Sequence, residues 1–333
     1  MRGLTMAQIP KRLSFIFSIA IAIAYAGCGA PQQTSTPLPD GAMLNRASSP
    51  LPRSAKHHRR LYIGDDYNGS GEHNNAIDIF PLTKQGHQKR LRSISNGIDG
   101  PWGLSVDAND TLYVANGRPY YNNGTVTVYP YGSSNPSMTY SAGLHQPLYA
   151  VADSAKHVFV ADRQPGFNTT GYVVEYNAGT NAPIKTVRLG IEADGLAEDT
   201  KGNLYVAYRR NAYNQNGTIA KFAPGLRNKR LLGMTIQAPQ GLLVDRSGNV
   251  LVVESSADRV DVFPPAAKAP SVTVQLPQGF FGAQLAMRKS ETTLWVSVDE
   301  GYVYSMPYPL TARTKPTLYE GDDVYTNGIA VTR

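Results

Sequence analysis

The sequence has little cysteine, and it lacks the short motifs by which many enzymes are recognised. Cys28 is the only cysteine among 333 residues, so no internal disulfide can form. There is no HExxH metal motif, no Gly-x-Ser-x-Gly nucleophile motif and no Walker loop, and the six histidines show no metal-ligand spacing. After residue 60 no segment has a helical period of useful length. These absences exclude the common metallopeptidases, α/β-hydrolases, P-loop proteins and helical bundles.

The charge balance gives little support for a nucleic-acid partner. The formal net charge is +7, but Arg2, Lys11 and Arg12 lie in the first twelve residues. Without those three, 29 Lys and Arg face 25 Asp and Glu, a net charge of +4. The basic residues are scattered along the sequence and form no stripe. We therefore expect no nucleic acid among the partners.

The first 28 residues are typical of an export signal. A basic start is followed by the apolar run Leu13–Ala26, which is too short to span a bilayer comfortably. The small residues before Cys28 resemble a bacterial lipobox, although Tyr25 stands where Leu is usual. We expect a lipoprotein signal peptide over 1–27, lipidation at Cys28, and export to the periplasmic or surface face of the cell envelope. An ordinary signal peptide with a chance cysteine is the alternative.

The next segment has the composition of a linker. Residues 28–58 are rich in Pro, Ser, Thr, Gln and Ala and have no periodic apolar pattern. Such a segment cannot bury a core, so it is predicted to be a flexible tether. Residues 59–333 then form a single domain.

One unit recurs along this domain every 46 residues. Asp194–Tyr208 predicts two short strands joined by a polar turn at Asp199–Asn203. A strand–turn–strand unit with a period in the forties indicates a β-propeller. The other copies are Trp102–Asn116, Leu148–Asp162, Gln240–Glu254 and a worn copy, Ala283–Val298, with Arg288 at the aspartate position. The repeated turn aspartates, expected to cap the turns through backbone N–H groups, are Asp107, Asp153, Asp199 and Asp245.

Third strands and the chain ends set the predicted number of blades. A weaker fourth strand follows each third strand, for example Lys185–Leu189. The chain begins with a second-strand copy, Leu61–Asp65, and ends with a first-strand copy, Asn327–Val331. We expect these ends to pair, which gives an all-β, six-bladed β-propeller whose ring is closed by the C-terminal strand on the N-terminal blade. The third strands are Ile77–Phe80, Val126–Tyr129, Val173–Tyr176, Ile219–Phe222, Val260–Phe263 and Val303–Met306.

The repeat, Pro-x-Gly-Leu-x-Val-Asp followed by Gly-Asn-Leu-Tyr-Val-Ala, resembles the NHL repeat. It is also similar to the six-bladed propellers of the gluconolactonase and regucalcin group. The latter resemblance implies a divalent metal at the axial mouth. Asp194 lies in Ala-Asp-Gly-Leu, which resembles the Pro-Asp-Gly segment that supplies a metal-binding aspartate in that group. Asn327-Gly-Ile resembles the Asn-Gly-Leu segment that supplies an amide ligand. Gln240 is a third candidate ligand. Leu148 and Trp102 occupy the remaining ligand positions. Two expectations follow for the axial mouth: it binds no cofactor, or it binds Ca²⁺ or another divalent ion.

Long loops between second and third strands suggest a binding surface. Four of these loops are long and rich in Asn and aromatic residues, and they are expected to open beside the axial mouth. The side chains predicted to gather there are Tyr67, Tyr120, Tyr121, Phe167, Arg209, Arg210 and Tyr213.

Two hypotheses follow for the function. The favoured one is a lipid-anchored, non-catalytic binding or scaffold module for an envelope protein, peptide or glycan, in contact with the membrane through its anchor only. The alternative is a metal-dependent hydrolase or lactonase of the gluconolactonase type. The residues at the axial mouth distinguish the two.

Overall fold

The computed structural model of the protein describes residues 58–68, 75–83, 89–117, 123–166, 169–209, 216–277, 282–288, 290–298, 301–321 and 324–332. These belong to one of the two units into which the chain divides, Lys56–Arg333. Cys28 and the predicted leader lie outside the described residues, so export and lipidation stay predictions. Within these ranges, no helix has the length and apolarity that crossing a membrane requires.

β-Strands make up nearly all of the regular structure. Val, Ile, Leu and Tyr fill short runs separated by Gly, Pro, Asn and Asp, a pattern that favours strands. One 3₁₀ turn, Ser255–Ala257, is the only helical element in the described ranges. The strands are β1 (Arg60–Asn68), β2 (Ala76–Pro81), β3 (Arg92–Ile94), β4 (Pro101–Val106), β5 (Leu112–Asn116), β6 (Thr125–Tyr129), β7 (Met138–Tyr140), β8 (Gln146–Ala152), β9 (Val158–Arg163), β10 (Thr170–Tyr176), β11 (Pro183–Glu198), β12 (Leu204–Arg209), β13 (Asn216–Ala223), β14 (Arg227–Leu231), β15 (Ile236–Gln237), β16 (Pro239–Val244), β17 (Val250–Glu254), β18 (Arg259–Phe263), β19 (Val272–Gln275), β20 (Gly282–Met287), β21 (Thr293–Val298), β22 (Tyr302–Pro307), β23 (Thr317–Gly321) and β24 (Val324–Val331).

The described strands form five antiparallel sheets. Four have four strands each: β24-β1-β2-β3, β4 to β7, β16 to β19 and β20 to β23. The fifth runs from β8 to β14, with β15 paired to β13. Strands β4, β8, β11, β16, β20 and β24 contact one another in turn around a closed ring. The protein is therefore all-β, with a propeller-like arrangement of sheets, which confirms the predicted fold class at this level.

The two ends of the described domain lie in the same sheet. Strand β24 pairs antiparallel with β1, so that Leu61 is opposite Val331 and Ile63 is opposite Ile329. The backbone N–H of Arg60 donates to Oγ1 of Thr332 at 2.9 Å. The predicted pairing of the chain ends is confirmed, and it covers a sheet edge that would otherwise be open to other chains.

Strand β11 differs from the prediction. The sequence predicts a separate outer strand at Lys185–Leu189 and a later hairpin strand from Leu196, but the structure has one continuous strand of 16 residues. Its first half pairs with β10 and its second half with β12, with register shifts between Ile191 and Gly195. Two successive repeats are therefore joined in one sheet, and the irregular middle of β11 lies where they meet.

Each sheet is buried on both faces. Along β1, Leu61 and Ile63 pack in one cluster with Trp295 of β21. Tyr62, which points the other way, packs in a second cluster with Leu104 of β4. Side chains alternate between the two faces of a strand, so a single strand contributes to two interfaces. Burial of each large side chain contributes about 1.5–3 kcal/mol, and this packing holds neighbouring sheets together.

The turn aspartates cap the first hairpin of each repeat, as predicted. Oδ1 of Asp107 accepts hydrogen bonds from the backbone N–H groups of Asn109, at 2.7 Å, and Thr111, at 3.1 Å. Equivalent bonds run from His157 to Asp153 at 2.8 Å, from Lys201 to Asp199 at 2.9 Å and from Asn249 to Asp245 at 2.7 Å. These four carboxylates stabilise turns.

Candidate ligand-binding cavity on the ring axis

A cavity of about 210 Å³ opens where the six inner strands meet. We call it the axial cavity. Asp194, Asn327 and Gln240, distant in sequence, face this one space. The residue at the same repeat position lines it in all six copies; these mouth positions are Trp102, Leu148, Asp194, Gln240, Ala283 and Asn327. Its lining residues are Trp102, Gly103, Leu148, Tyr149, Arg163, Glu192, Asp194, Arg209, Ala238, Gln240, Ser255, Ala283, Gln284 and Asn327.

One wall of the axial cavity is a buried ionic cluster. Glu192 is 1% exposed, and its Oε1 accepts a hydrogen bond from Nη1 of Arg163 at 2.6 Å. Nη2 of Arg209 contacts Oε2 of the same carboxylate. Nε of Arg163 donates to Gln146 at 3.0 Å. Burial and the neighbouring Arg163 lower the pKa of Arg209. The two guanidiniums and Glu192 thus satisfy each other.

The irregular middle of β11 places Glu192 in this wall. Glu192 has a φ of 45°, in the left-handed region that residues other than Gly or Asn rarely adopt. Its N–H is bonded to the carbonyl of Thr169 at 3.0 Å. At Gly190 a Cβ would lie 2.5 Å from the carbonyl oxygen of Arg209, so only glycine fits there. Strained backbone of this kind costs on the order of 1–3 kcal/mol and is concentrated at functional sites.

Three further polar side chains line the axial cavity. Among the described residues, the side chains of Asp194, Gln240 and Asn327 have no hydrogen-bond partner. Asp194 contacts the cavity but is otherwise surrounded by protein. Burial raises the pKa of its carboxyl to about 7, although Arg163 acts in the opposite direction. All three side chains are partly exposed to the cavity, so their polar atoms are available to a ligand.

Trp102 adds an aromatic surface to the same cavity. Its ring lies under the guanidinium of Arg163, 5.8 Å from Cζ to the ring centroid. A ring held in this way can stack on a ligand, and the paired arginine limits its movement.

Gln284 closes the base of the axial cavity. Its Oε1 accepts hydrogen bonds from the backbone N–H groups of Leu104, at 3.1 Å, and Ile329, at 2.9 Å. Its Nε2 donates to the carbonyl of Leu104 at 2.5 Å. One side chain thereby links β20, β4 and β24. A second cavity of about 160 Å³, with a mostly apolar lining, lies beyond it. Beside Gln284, burial raises the pKa of Tyr149 to about 12.

Two solved structures resemble the chain over most of its length. A protein of unknown function from Bacteroides caccae superposes with a TM-score of 0.57 at 15% sequence identity, covering 83% of this chain and 99% of that protein. A protein from Lactobacillus plantarum gives a TM-score of 0.52 at 14% identity, covering 79% and 82%. No family model and no curated protein matches the sequence. These likenesses show the fold alone.

The axial cavity fits a divalent metal poorly. Ca²⁺ takes six to eight oxygen ligands, mainly carboxylates and carbonyls. Asp194 supplies one carboxylate, while that of Glu192 is held by two guanidiniums. In the described part of the chain, no group of three or more His, Cys, Asp or Glu side chains is arranged to hold a metal. Arg163 and Arg209 would also repel a dication. The donors suit an organic ligand with hydroxyl, amide or amine groups better.

Most of the predicted loop site lies outside the described residues. Arg209 is the one predicted loop residue whose side chain is described, and it lies in the wall of the axial cavity. Tyr67 is on β1. Strand β5 ends at Asn116 and strand β9 at Arg163. These strands and β12 are each the second strand of an inner hairpin, and the predicted loops follow them in sequence. The loop residues outside the described ranges are Tyr120, Tyr121, Phe167, Arg210 and Tyr213.

Two residues of the ionic wall were not predicted from the sequence. Arg163 stands 46 residues before Arg209, at the same position of the repeat. That spacing could have identified the pair of arginines. Glu192 offered no comparable signal, because the bulge in β11 alone brings it into the wall.

A histidine–aspartate pair near the cavity has a structural explanation. Nδ1 of His145 lies 2.9 Å from Oδ2 of Asp162, and the backbone N–H of His145 donates to both carboxylate oxygens at 3.1 Å. Asn116, at the equivalent strand end, accepts a bond from the N–H of Asp99 at 3.1 Å. Strand-end polar residues therefore secure the connection that enters each sheet, and the pair alone does not indicate catalysis.

Proposed function

We propose that this protein is a non-catalytic binding or scaffold module of the bacterial cell envelope. Its ligand is a protein, a peptide or a glycan, one polar group of which enters the axial cavity. The observation that carries this proposal is the set of unpartnered side chains of Asp194, Gln240 and Asn327 beside Trp102. A cavity of about 210 Å³ is smaller than the roughly 300–1,000 Å³ typical of whole small-molecule sites, so it suits an end group of a larger ligand.

The ionic wall supports binding over chemistry. Glu192 pairs with both Arg163 and Arg209, so the three side chains form a rigid surface with one net positive charge. Rigid, pre-organised walls favour affinity because little freedom is lost on binding. The predicted loop aromatics, Tyr120 and Tyr121 among them, would extend the contact around the mouth.

A metal-dependent hydrolase or lactonase is the second candidate. It is favoured by Asp194, whose raised pKa of about 7 suits a general base near neutral pH. It is also favoured by the presence of Gln240 and Asn327 in the same cavity, as the resemblance to gluconolactonases implies. The positive charge of Arg163 and Arg209 weighs against it.

The fold proposal is a six-bladed propeller of the NHL and gluconolactonase-like group. The ring of six inner strands supports six blades if the large sheet counts as two, joined through β11. The 46-residue period and the repeat motif support the resemblance. In this proposal, residues 59–333 form the propeller.

Export and anchoring complete the proposal. A signal peptide over 1–27 is removed, Cys28 is lipidated, and 28–58 tether the propeller to the membrane. Cys28→Ala should move the protein from the membrane fraction to the soluble fraction, because acyl chains contribute about 0.8 kcal/mol per buried CH₂. Unchanged membrane association of this variant would contradict the anchor.

Binding can be tested with arrays of bacterial glycans and peptides. The full chain should capture a restricted set of ligands, and the Gln240→Ala/Asn327→Ala variant should lose them while melting like the wild type. Thr200→Ala, an exposed change in a hairpin turn, is the matched control and should keep them. Capture that survives in the double variant would rule out the axial cavity as the site, and turnover of a captured lactone or ester would favour the hydrolase.

A further inference from the structure

The outer edge of the large sheet carries five cations, and within the described residues none of them forms an ion pair. They lie on the first half of β11 and on β14, the edge strand that pairs only with β13. All five residues of β14 are exposed. We call this set the basic strip; its members are Lys185, Arg188, Arg227, Lys229 and Arg230.

The fold brings the two halves of the basic strip together. Nζ of Lys185 donates to the carbonyls of Gly225, at 3.0 Å, and Leu226, at 2.9 Å, immediately before β14. Nζ of Lys229 lies 5.3 Å from the ring centroid of Tyr208, and the same ring packs against Gly190 of β11. Lys185 and Lys229 thus lie close together, although they are about 40 residues apart in sequence. Arg188 and Arg230 stand at alternate positions and point to the other face of their strands.

Several other described cations form ion pairs. Lys156 pairs with Asp107, Lys221 with Asp199, and Arg259 with Glu254. By contrast, residues 183–189 and 223–236 contain no Asp or Glu. Glu175, which interacts with Lys185, is 4% exposed, and burial raises its pKa. Lys185 therefore has one acidic neighbour, and the other four cations of the strip have no ion pair among the described residues.

Two exposed aliphatic side chains lie on the same strands. Ile184 on β11 is 50% exposed, and Leu231 on β14 is 48% exposed. Cations that alternate with isolated aliphatic residues suit the surface of an anionic bilayer. The cations meet lipid phosphates there, and the aliphatic groups reach the boundary of the acyl chains. Lys and Arg side chains can place their charge among headgroups while their stems stay in apolar surroundings.

We propose that the basic strip binds a membrane surface rich in anionic phospholipid. This contact adds to the lipid anchor, and it rests on the membrane location given in the proposed function. One acyl anchor or one basic patch alone gives weak and reversible attachment, whereas two signals together hold a protein stably. The strip lies on outer strands and the axial cavity on inner strands, so a ligand can still enter the cavity.

The test uses the full chain with Cys28→Ala, which removes the lipid. Its binding is measured by co-flotation with vesicles of phosphatidylcholine alone and with vesicles of equal parts phosphatidylcholine and phosphatidylglycerol. Each Lys or Arg near an anionic surface changes affinity about fivefold. Removing three should therefore weaken binding to the anionic vesicles roughly a hundredfold and leave binding to the neutral vesicles unchanged. The strip variant is Arg227→Gln/Lys229→Gln/Arg230→Gln.

A control variant removes the same charge elsewhere on the exposed surface: Lys89→Gln/Arg313→Gln/Lys315→Gln. It should bind anionic vesicles nearly as well as the parent chain. Equal loss in both variants would mean that only net charge matters, and the proposal would be wrong. It would also be wrong if the strip variant aggregated but bound vesicles normally, since the charges would then only protect a sheet edge. If the strip variant lost binding to heparin or DNA but still bound anionic vesicles, the proposal would be wrong, and the strip would be a binding site for a soluble polyanion. Fractionation of the lipidated wild type tests the anchor separately.

Discussion

Two aspartates on one hairpin, five residues apart, have opposite surroundings. Asp199 accepts hydrogen bonds from the backbone of Lys201 and Asn203, from the Asn203 amide and from Lys221. Burial alone would raise its pKa, but these bonds outweigh burial and lower it. Asp194 has no hydrogen bond within the described part of the chain, and burial raises its pKa to about 7.

The difference separates a structural carboxylate from a candidate functional one. The turn of Asp199 recurs in the repeat, and each copy is satisfied by its own neighbours. Asp194 is held in an unfavourable environment together with Gln240 and Asn327. A protein retains such a group when something outside the fold completes its contacts. The comparison thus indicates where to expect a ligand.

The largest effect should come from breaking the ring on which both aspartates depend. Deletion of Asn327–Arg333 removes three of the six residue pairs between β24 and β1 and the bond of Thr332 to Arg60. We expect loss of most of the free energy of unfolding, which is about 5–15 kcal/mol for a typical domain, together with aggregation. Circular dichroism melting and light scattering measure both. Deletion of the same number of residues from the start of the chain is the control, and equal melting of both truncations would refute closure by β24.

Asp199→Ala should be the next most severe change. It leaves the N–H groups of Lys201 and Asn203 without their side-chain acceptor and removes one of the two acceptors of the Lys221 amine. We expect a loss of about 2–3 kcal/mol in the free energy of unfolding, measured by urea denaturation at pH 7. Thr200→Ala, in the same turn but exposed, should change stability by less than about 0.5 kcal/mol. A similar small effect for Asp199→Ala would show that the turn does not need its cap.

Asp194→Asn should increase the free energy of unfolding, in contrast to Asp199→Ala. Because the folded carboxyl has a pKa of about 7 against an ordinary 3.8, folding binds a proton between these values. In the wild type, stability should therefore fall as pH rises from about 4 to 7. The Asn variant has no carboxyl to titrate, so above pH 7 its free energy of unfolding should exceed that of the wild type by about 2 kcal/mol or more. Ligand capture should be lost in this variant.

Urea denaturation across this pH range measures the difference between the two chains. Gln240→Ala removes a neighbouring amide and leaves the carboxyl in place, so its pH profile should follow the wild type. If Asp194→Asn destabilised the protein at every pH, Asp194 would be a structural residue like Asp199, and the comparison would fail.

Much of the scaffold could be predicted because it repeats. A 46-residue period, capped turns and strand alternation are local signals, and they predicted the all-β fold, the turn caps and the pairing of the two chain ends correctly. The six mouth positions also followed from the repeat frame. The joining of two predicted strands into the single strand β11 could not be predicted, because the residues near Gly190 do not determine whether the strand continues or a turn forms there.

What the sequence could not predict arises where different repeats meet. Glu192 enters the ionic wall only through a bulge, and its partners Arg163 and Arg209 come from two other strands. The basic strip has the same origin. Its cations looked scattered along the chain, and the outer strands of the sheet bring Lys185 and Lys229 close together.

The smallest expected effect concerns Ca²⁺. If the folded protein had a specific Ca²⁺ site, Ca²⁺ at a hundredfold excess over its dissociation constant would raise the free energy of unfolding by about 2.7 kcal/mol. We expect no shift in melting temperature on adding Ca²⁺ or on removing it with EGTA. Asp194 offers one carboxylate, Trp102 and Leu148 offer no side-chain oxygen, and Arg163 repels a dication. An upward shift with Ca²⁺ that disappears in Asp194→Asn but persists in Asp199→Ala would overturn this expectation. It would also promote the hydrolase, because the unpartnered aspartate would then be a metal ligand.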